Sequence, residues 1–131
     1  MKVLALDLGD SWTGTAMSDP LKIIATPYQT IKTEDLLPFL HNLMKNEKIE
    51  TILVGYPKTM KGKESDQTKK VQMQKEIIDK EFPLQKCILW DERLSSKQAR
   101  SIQKKNSKTD AHKEHSIAAA LILETYLQFL T

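Results

Sequence analysis

The chain has 131 residues, 40% of them hydrophobic and 28% charged, with a net charge of +3; this suits one domain over residues 1–131 and excludes two ordinary lobes or a disordered polar chain. Its single cysteine, Cys87, excludes an internal disulfide and a cysteine zinc cage and is expected to be a buried strand thiol. No apolar run approaches the roughly 20 residues that span a bilayer, and the opening MKVLALDLGD does not read as a signal peptide, so a cytoplasmic location without membrane association is expected.

Val3 to Leu6 is an apolar run ending at Asp7 and Gly9, the pattern of a buried strand that emerges at a sheet edge. Residues 12–18 and 22–31, joined by a turn at Ser18-Asp19-Pro20, read as two further strands of a meander. Thr33 offers a helix cap, and Leu36, Phe39, Leu40, Leu43 and Met44 repeat at helical spacing, with Pro38 tolerable only in the first turn. Residues 51–55 form a second buried-type strand, followed by a polar loop over 58–64.

A lysine-rich crossover helix is expected over 65–81, stopped by Pro83, and a third buried-type strand over 87–90 delivers Asp91-Glu92-Arg93. A basic helix follows to about Lys105, then a linker over 106–109. In the last helix His115, Ala118, Ala119, Ile122, Leu123 and Tyr126 share one face, and three consecutive alanines permit close approach to the sheet. The order predicts an α/β fold, a mixed five-stranded sheet flanked by helices.

Sites in such sheets gather beyond the carboxyl ends of adjacent strands, where Asp7 and Asp91-Glu92 emerge. Converging carboxylates repel one another and resist desolvation, and a divalent cation relieves both. Magnesium ions about 4 Å apart can activate water and stabilise a leaving oxygen, so the constellation predicts metal-dependent phosphodiester hydrolysis. Taken singly, Asp7 as a turn cap, Asp91 and Glu92 as partners of Arg93, and His115 as an ordinary first-turn histidine are the duller readings. Between Arg93 and Lys108 stand six cations, Arg93, Lys97, Arg100, Lys104, Lys105 and Lys108, and no acid. That run is either a solvated helix face or a contact for nucleic-acid phosphates.

Four blocks in order resemble the YqgF/RuvX family of Holliday-junction-resolvase-like nucleases across nearly the whole chain. They are Asp7-Leu8-Gly9 with Gly14 and Ala16; Val54-Gly55-Tyr56-Pro57 through Met60, Gly62 and Glu64; Asp91 to Ser96; and Ser116 to Leu127 with Ala118-Ala119, Ile122-Leu123-Glu124 and Tyr126-Leu127. The resemblance implies a ribonuclease H-like fold and a nuclease that processes the 5′ end of the 16S ribosomal RNA precursor or acts on Holliday-junction-like structures. By motif position Asp7 and Glu92 would bind Mg²⁺ or Mn²⁺, with Asp91 the adjacent alternative, and Arg93 would support the acids or touch phosphate.

Two positions depart from that pattern. His115 stands where the family's closing helix carries Asp, and an imidazole suits manganese better than magnesium. Trp12 stands at a usually basic position and is either a platform for an unpaired base or a core aromatic. Two readings follow: a nuclease on structured RNA, with branched DNA the less favoured substrate, or a catalytically weakened nucleic-acid-binding ribosome-assembly factor. A monomer and a homodimer are both compatible with the sequence.

Overall fold

A computed structural model describes residues 1–56, 66–91 and 111–130. Five strands, β1 (Lys2–Leu8), β2 (Trp12–Ser18), β3 (Ala25–Lys32), β4 (Ile49–Tyr56) and β5 (Lys86–Asp91), form one sheet in the order β3-β2-β1-β4-β5. The meander pairs antiparallel, whereas β4 and β5 run parallel to β1, so the sheet is mixed as expected. The helices are α1 (Leu36–Asn46), α2 (Asp66–Glu81) and α3 (Ala111–Leu130). The expected loop 58–64, basic helix over 95–105 and linker 106–109 lie outside the described residues. No helix among the described residues is long and apolar enough to cross a membrane.

Strand alternation divides the core into two layers. Leu4, Leu6 and Leu8 of β1 pack with Ile52 and Val54 against Leu36, Leu40 and Leu43 of α1 and Val71 and Ile78 of α2. Val3 and Ala5 face the other way, with Ala16 and Leu53, against Ala119, Ile122, Leu123 and Tyr126 of α3. The long helix therefore covers one face of the sheet. Asp7, next in the Val3-Ala5 series, is carried on that same face.

Three local expectations change. Strand β3 begins at Ala25 rather than at Lys22, because the Asp19 carboxylate accepts hydrogen bonds from the backbone N–H groups of Ile23 (2.7 Å) and Ile24 (2.8 Å) and holds residues 19–24 as a loop. Those bonds, led by the one from Ile24, hold the Asp19 carboxyl below its ordinary pKa. Lys22 has φ 60, the left-handed region, which fits a loop and not a strand.

Thr33 does not cap α1. It opens a single 3₁₀ turn, Thr33–Asp35, and its hydroxyl donates to the Gly9 carbonyl (2.7 Å) while lying 2.9 Å from the hydroxyl of buried Thr13. The Thr33 N–H donates to the Ser11 carbonyl (2.9 Å), so the end of β3 ties down the turn that follows β1. Pro38 falls at the third position of α1, where a missing N–H costs no helical hydrogen bond.

A bulge separates Gly14 from Ala16 in the β2–β3 ladder. Thr15 fills it: its hydroxyl donates to the Gln29 carbonyl (2.6 Å) and accepts from the Gln29 N–H (3.0 Å). Cys87 is half-buried rather than fully buried, on the face of β5 toward α2. Burial pushes its thiol up to about 11.

Candidate active site

Asp7 lies one residue before the end of β1, directly opposite Gly14 on β2. Gly14 is where α3 meets the sheet. A Cβ there would stand 2.0 Å from both the carbonyl carbon and oxygen of His115 and 2.5 Å from the Ser116 nitrogen. Only a residue without a side chain lets the helix backbone settle at that height. The neighbours Ala119 and Ala120, both buried, sustain the close approach one turn further on.

That packing sets the His115 imidazole above the Asp7 carboxylate, with Nδ1 3.4 Å from Oδ2, a long hydrogen bond. Their side chains are 36% and 20% exposed, open enough to meet a ligand yet shielded enough for charge to matter. The Asp7 hydrogen bond raises the pKa of His115 above its ordinary value, while desolvation pulls it down and the charges of Asp7 and Glu114 add to the rise. The imidazolium form is thus favoured as partner of the carboxylate. Gly9 completes the surround: a Cβ there would come within 2.5 Å of the Trp12 carbonyl and 3.6 Å of His115 Cε1.

Of the residues singled out from sequence, Asp7 and His115 are brought together from 108 residues apart. Asp91 ends β5, opposite Tyr56 on β4, so one strand separates its backbone from β1, about 10 Å at ordinary strand spacing. Glu92, Arg93, Lys97, Arg100, Lys104, Lys105 and Lys108 lie outside the described residues. Among the described residues, no group of three or more histidine, cysteine or acidic side chains is arranged to hold a metal ion.

Trp12 begins β2 opposite Lys32 and is half-buried; with Asp10, Ser11, Lys32 and Glu34 it lines a shallow surface pocket of about 310 Å³. Two site features went unforeseen. Asp10 pairs with Lys70 on α2 at 3.1 Å, and the Thr13–Thr33–Gly9 hydrogen bonds fix the turn beside Asp7. A glycine inside the threonine-rich strand Trp12–Ser18 was the available signal for the helix contact.

A mixed sheet in the order 3-2-1-4-5, with an acid near the carboxyl end of its central strand and a long closing helix over it, defines a protein of the ribonuclease H-like fold. A solved structure of Thermus thermophilus RuvC in complex with a Holliday junction substrate superposes with a TM-score of 0.60, covering 98% of this chain and 96% of that one at 15% identity, a likeness of fold. The model of the RuvX family, described as Holliday junction resolvase, matches residues 1–129, and the chain belongs to that family. A Christiangramia forsetii relative named "Putative pre-16S rRNA nuclease" is 37% identical over 131 residues, covering 96% of this chain and 97% of its own length. A Rubrobacter xylanophilus protein of the same name is 33% identical over 128 residues, covering 97% and 92%.

Proposed function

We propose that this chain is a metal-dependent nuclease that hydrolyses phosphodiester bonds in the 5′ region of the 16S ribosomal RNA precursor in the cytoplasm, with branched DNA as a lesser substrate. The observation that carries the reading is the meeting of Asp7 and His115 at the carboxyl end of the central strand. The names borne by the relatives supply the substrate.

The donor set suits a divalent cation that accepts both oxygen and nitrogen, Mn²⁺ ahead of Mg²⁺. Asp7 and His115 would hold it together with Glu92. On β5, Ile88 and Trp90 belong to the layer that faces α3. The family resemblance gives Glu92 as the acid that would join them, with Asp91 the adjacent alternative.

Bound there, the cation would supply an activated water and charge stabilisation for the leaving oxygen. The chain's own contribution is positional. Gly14 sets the height of His115, the threonine pair fixes the turn after Asp7, and Asp7 holds the imidazole proton at Nδ1 until the site is loaded. Arg93, Lys97, Arg100, Lys104 and Lys105 would grip backbone phosphates, giving salt-dependent binding that follows substrate shape rather than base sequence.

One observation favours a second reading. The Asp7–His115 pair is self-neutralising, with the His115 pKa raised, so the carboxylate has a partner without any metal. A chain that stayed in that state would bind nucleic acid without cutting it. Cleavage of a labelled precursor RNA, titrated with Mn²⁺ and Mg²⁺, separates the readings. The nuclease gives metal-dependent product that Asp7→Asn reduces by roughly a hundredfold or more; intact RNA bound equally by both proteins supports the binding factor.

A further inference from the structure

Helix α2 carries a stripe that the core leaves open. Lys70, Met73, Gln74 and Ile77 recur at three- and four-residue spacing and share one face of the helix. Met73 and Ile77 are large and apolar, yet 64% and 43% exposed. Opposite the stripe stands the turn that follows β1, and between them lies a recess of about 270 Å³, lined also by Leu8, Gly9, Thr33 and Val71. Leu8 and Val71 are buried in the layer under α1 and α2, so the recess has an apolar floor.

The wall on the side of Asp7 and His115 is fixed and thin. The Thr33 hydroxyl donates to the Gly9 carbonyl at 2.7 Å and holds that residue in place. Gly9 lines the recess, and a Cβ on it would stand 3.6 Å from His115 Cε1, so the recess is continuous with the candidate site. At the rim Lys70 pairs with Asp10 at 3.1 Å. Asp10 follows Asp7 closely in the chain, and the backbone between them reaches at most about 11 Å.

We propose that this recess receives an unpaired nucleobase of the substrate strand, from a nucleotide next to the phosphate that lies on Asp7 and His115, an inference that rests on the nuclease reading. The ring would lie against Met73 and Ile77, with its edge on Gln74 and its own phosphate on Lys70. The Gln74 amide has no hydrogen-bond partner among the described residues, and it offers a base edge both a donor and an acceptor. The Lys70 and Asp10 side chains are 62% and 65% exposed. An ion pair that open is worth about 0–1 kcal/mol, so Lys70 can pass to a phosphate oxygen at little cost.

A base suits these walls better than other occupants. It has an apolar face and a polar edge, as the recess does, and a thioether such as that of Met73 makes favourable contacts with aromatic rings. A phosphate would lose its water over the apolar floor without gaining a donor there. A protein partner needs about 800 Å² on each side, far more than this recess and its two exposed apolar side chains offer. A base paired in a duplex cannot enter, so the chain would take strands whose nucleotide beside the cut is outside a helix.

Methyl NMR of the whole chain in EDTA, where nothing is cut, tests the recess with two probes, hexa-adenylate RNA and an abasic ribose-phosphate chain of the same length. Hexa-adenylate should shift the Met73 Cε and Ile77 Cδ1 methyl signals together with the His115 Cε1–H. The abasic chain should shift His115 alone and bind about tenfold more weakly, the usual loss of one stacked base. Met73→Ala/Ile77→Ala, which keeps a good helix former at both positions, should bind the two probes alike, whereas Leu84→Ala, at a residue 92% exposed, should behave as wild type. Circular dichroism and a melt establish that the double variant is folded. Methyl signals that stay still while His115 moves, or that move equally with the abasic chain, overturn the base assignment and leave the nuclease reading standing. A double variant that keeps the wild-type preference for hexa-adenylate, or a Leu84→Ala protein that loses it, overturns the assignment as well. If neither probe binds or moves His115, both readings fall together.

Discussion

Replacing Gly14 with alanine adds one methyl group where there is no room for it. The new Cβ would stand 2.0 Å from His115 backbone atoms that need 3.4 Å for ordinary contact, so α3 must withdraw by about 1.4 Å at its first described turn. The displaced backbone belongs to a helix and the strand to a paired ladder, so neither yields as a flexible side chain would. The withdrawal lengthens the Asp7–His115 hydrogen bond, already 3.4 Å, past any useful length. It also loosens the layer of Ala119, Ile122 and Leu123 on Ala5 and Leu53. Overpacking of this kind costs about 2 kcal/mol, or about 6–10 °C in melting temperature for a chain of this size. Far-UV circular dichroism melts measure the loss, and RNA cleavage at a temperature where both proteins are folded measures the displaced site. A Gly14→Ala protein that melts and cleaves as wild type would refute the idea that this glycine sets the helix height.

The remaining expectations concern single groups. In metal-free protein, NMR titration of the His115 Cε1–H should give a pKa above the ordinary histidine value, returning toward it in Asp7→Asn, because the Asp7 hydrogen bond is the leading cause of the shift; an unchanged midpoint in the variant would contradict that cause. Since the folded-state pKa is raised, the pair's contribution to stability is complete below about pH 6.5 and is lost as pH rises through the folded value, so the melting-temperature gap between wild type and His115→Ala should narrow from pH 5.5 to pH 8.5 in EDTA. Cys87, with its thiol pushed up to about 11, should react with a disulfide reagent at pH 8 about a hundredfold more slowly in the native protein than in urea; equal rates would show an unburied thiol. Thr33→Val removes the bond to the Gly9 carbonyl and strands the buried Thr13 hydroxyl, so urea unfolding should show a loss of about 1–3 kcal/mol, against almost none for Thr26→Val on the exposed edge strand.

Much of this protein is written locally. Val3 to Leu6, Ile52 to Val54 and the spacing of Ala119, Ile122, Leu123 and Tyr126 announce strands and helix because a buried face must repeat with the geometry of its element. Asp7 at the end of an apolar strand marks the site for a similar reason, since a carboxylate in that position needs a partner. What sequence left undecided depends on residues far apart in the chain. Lys22 to Ile24 have the apolar, β-branched look of a strand, yet the Asp19 carboxylate satisfies their amides and keeps them in a loop. Thr33 reads as a cap, yet its hydroxyl is taken by Gly9 and Thr13. His115 reads as a substitution for an acid, and only the fit of α3 on Gly14 makes it the partner of Asp7, because a 3.4 Å approach between residues 108 apart is fixed by packing and not by any local rule.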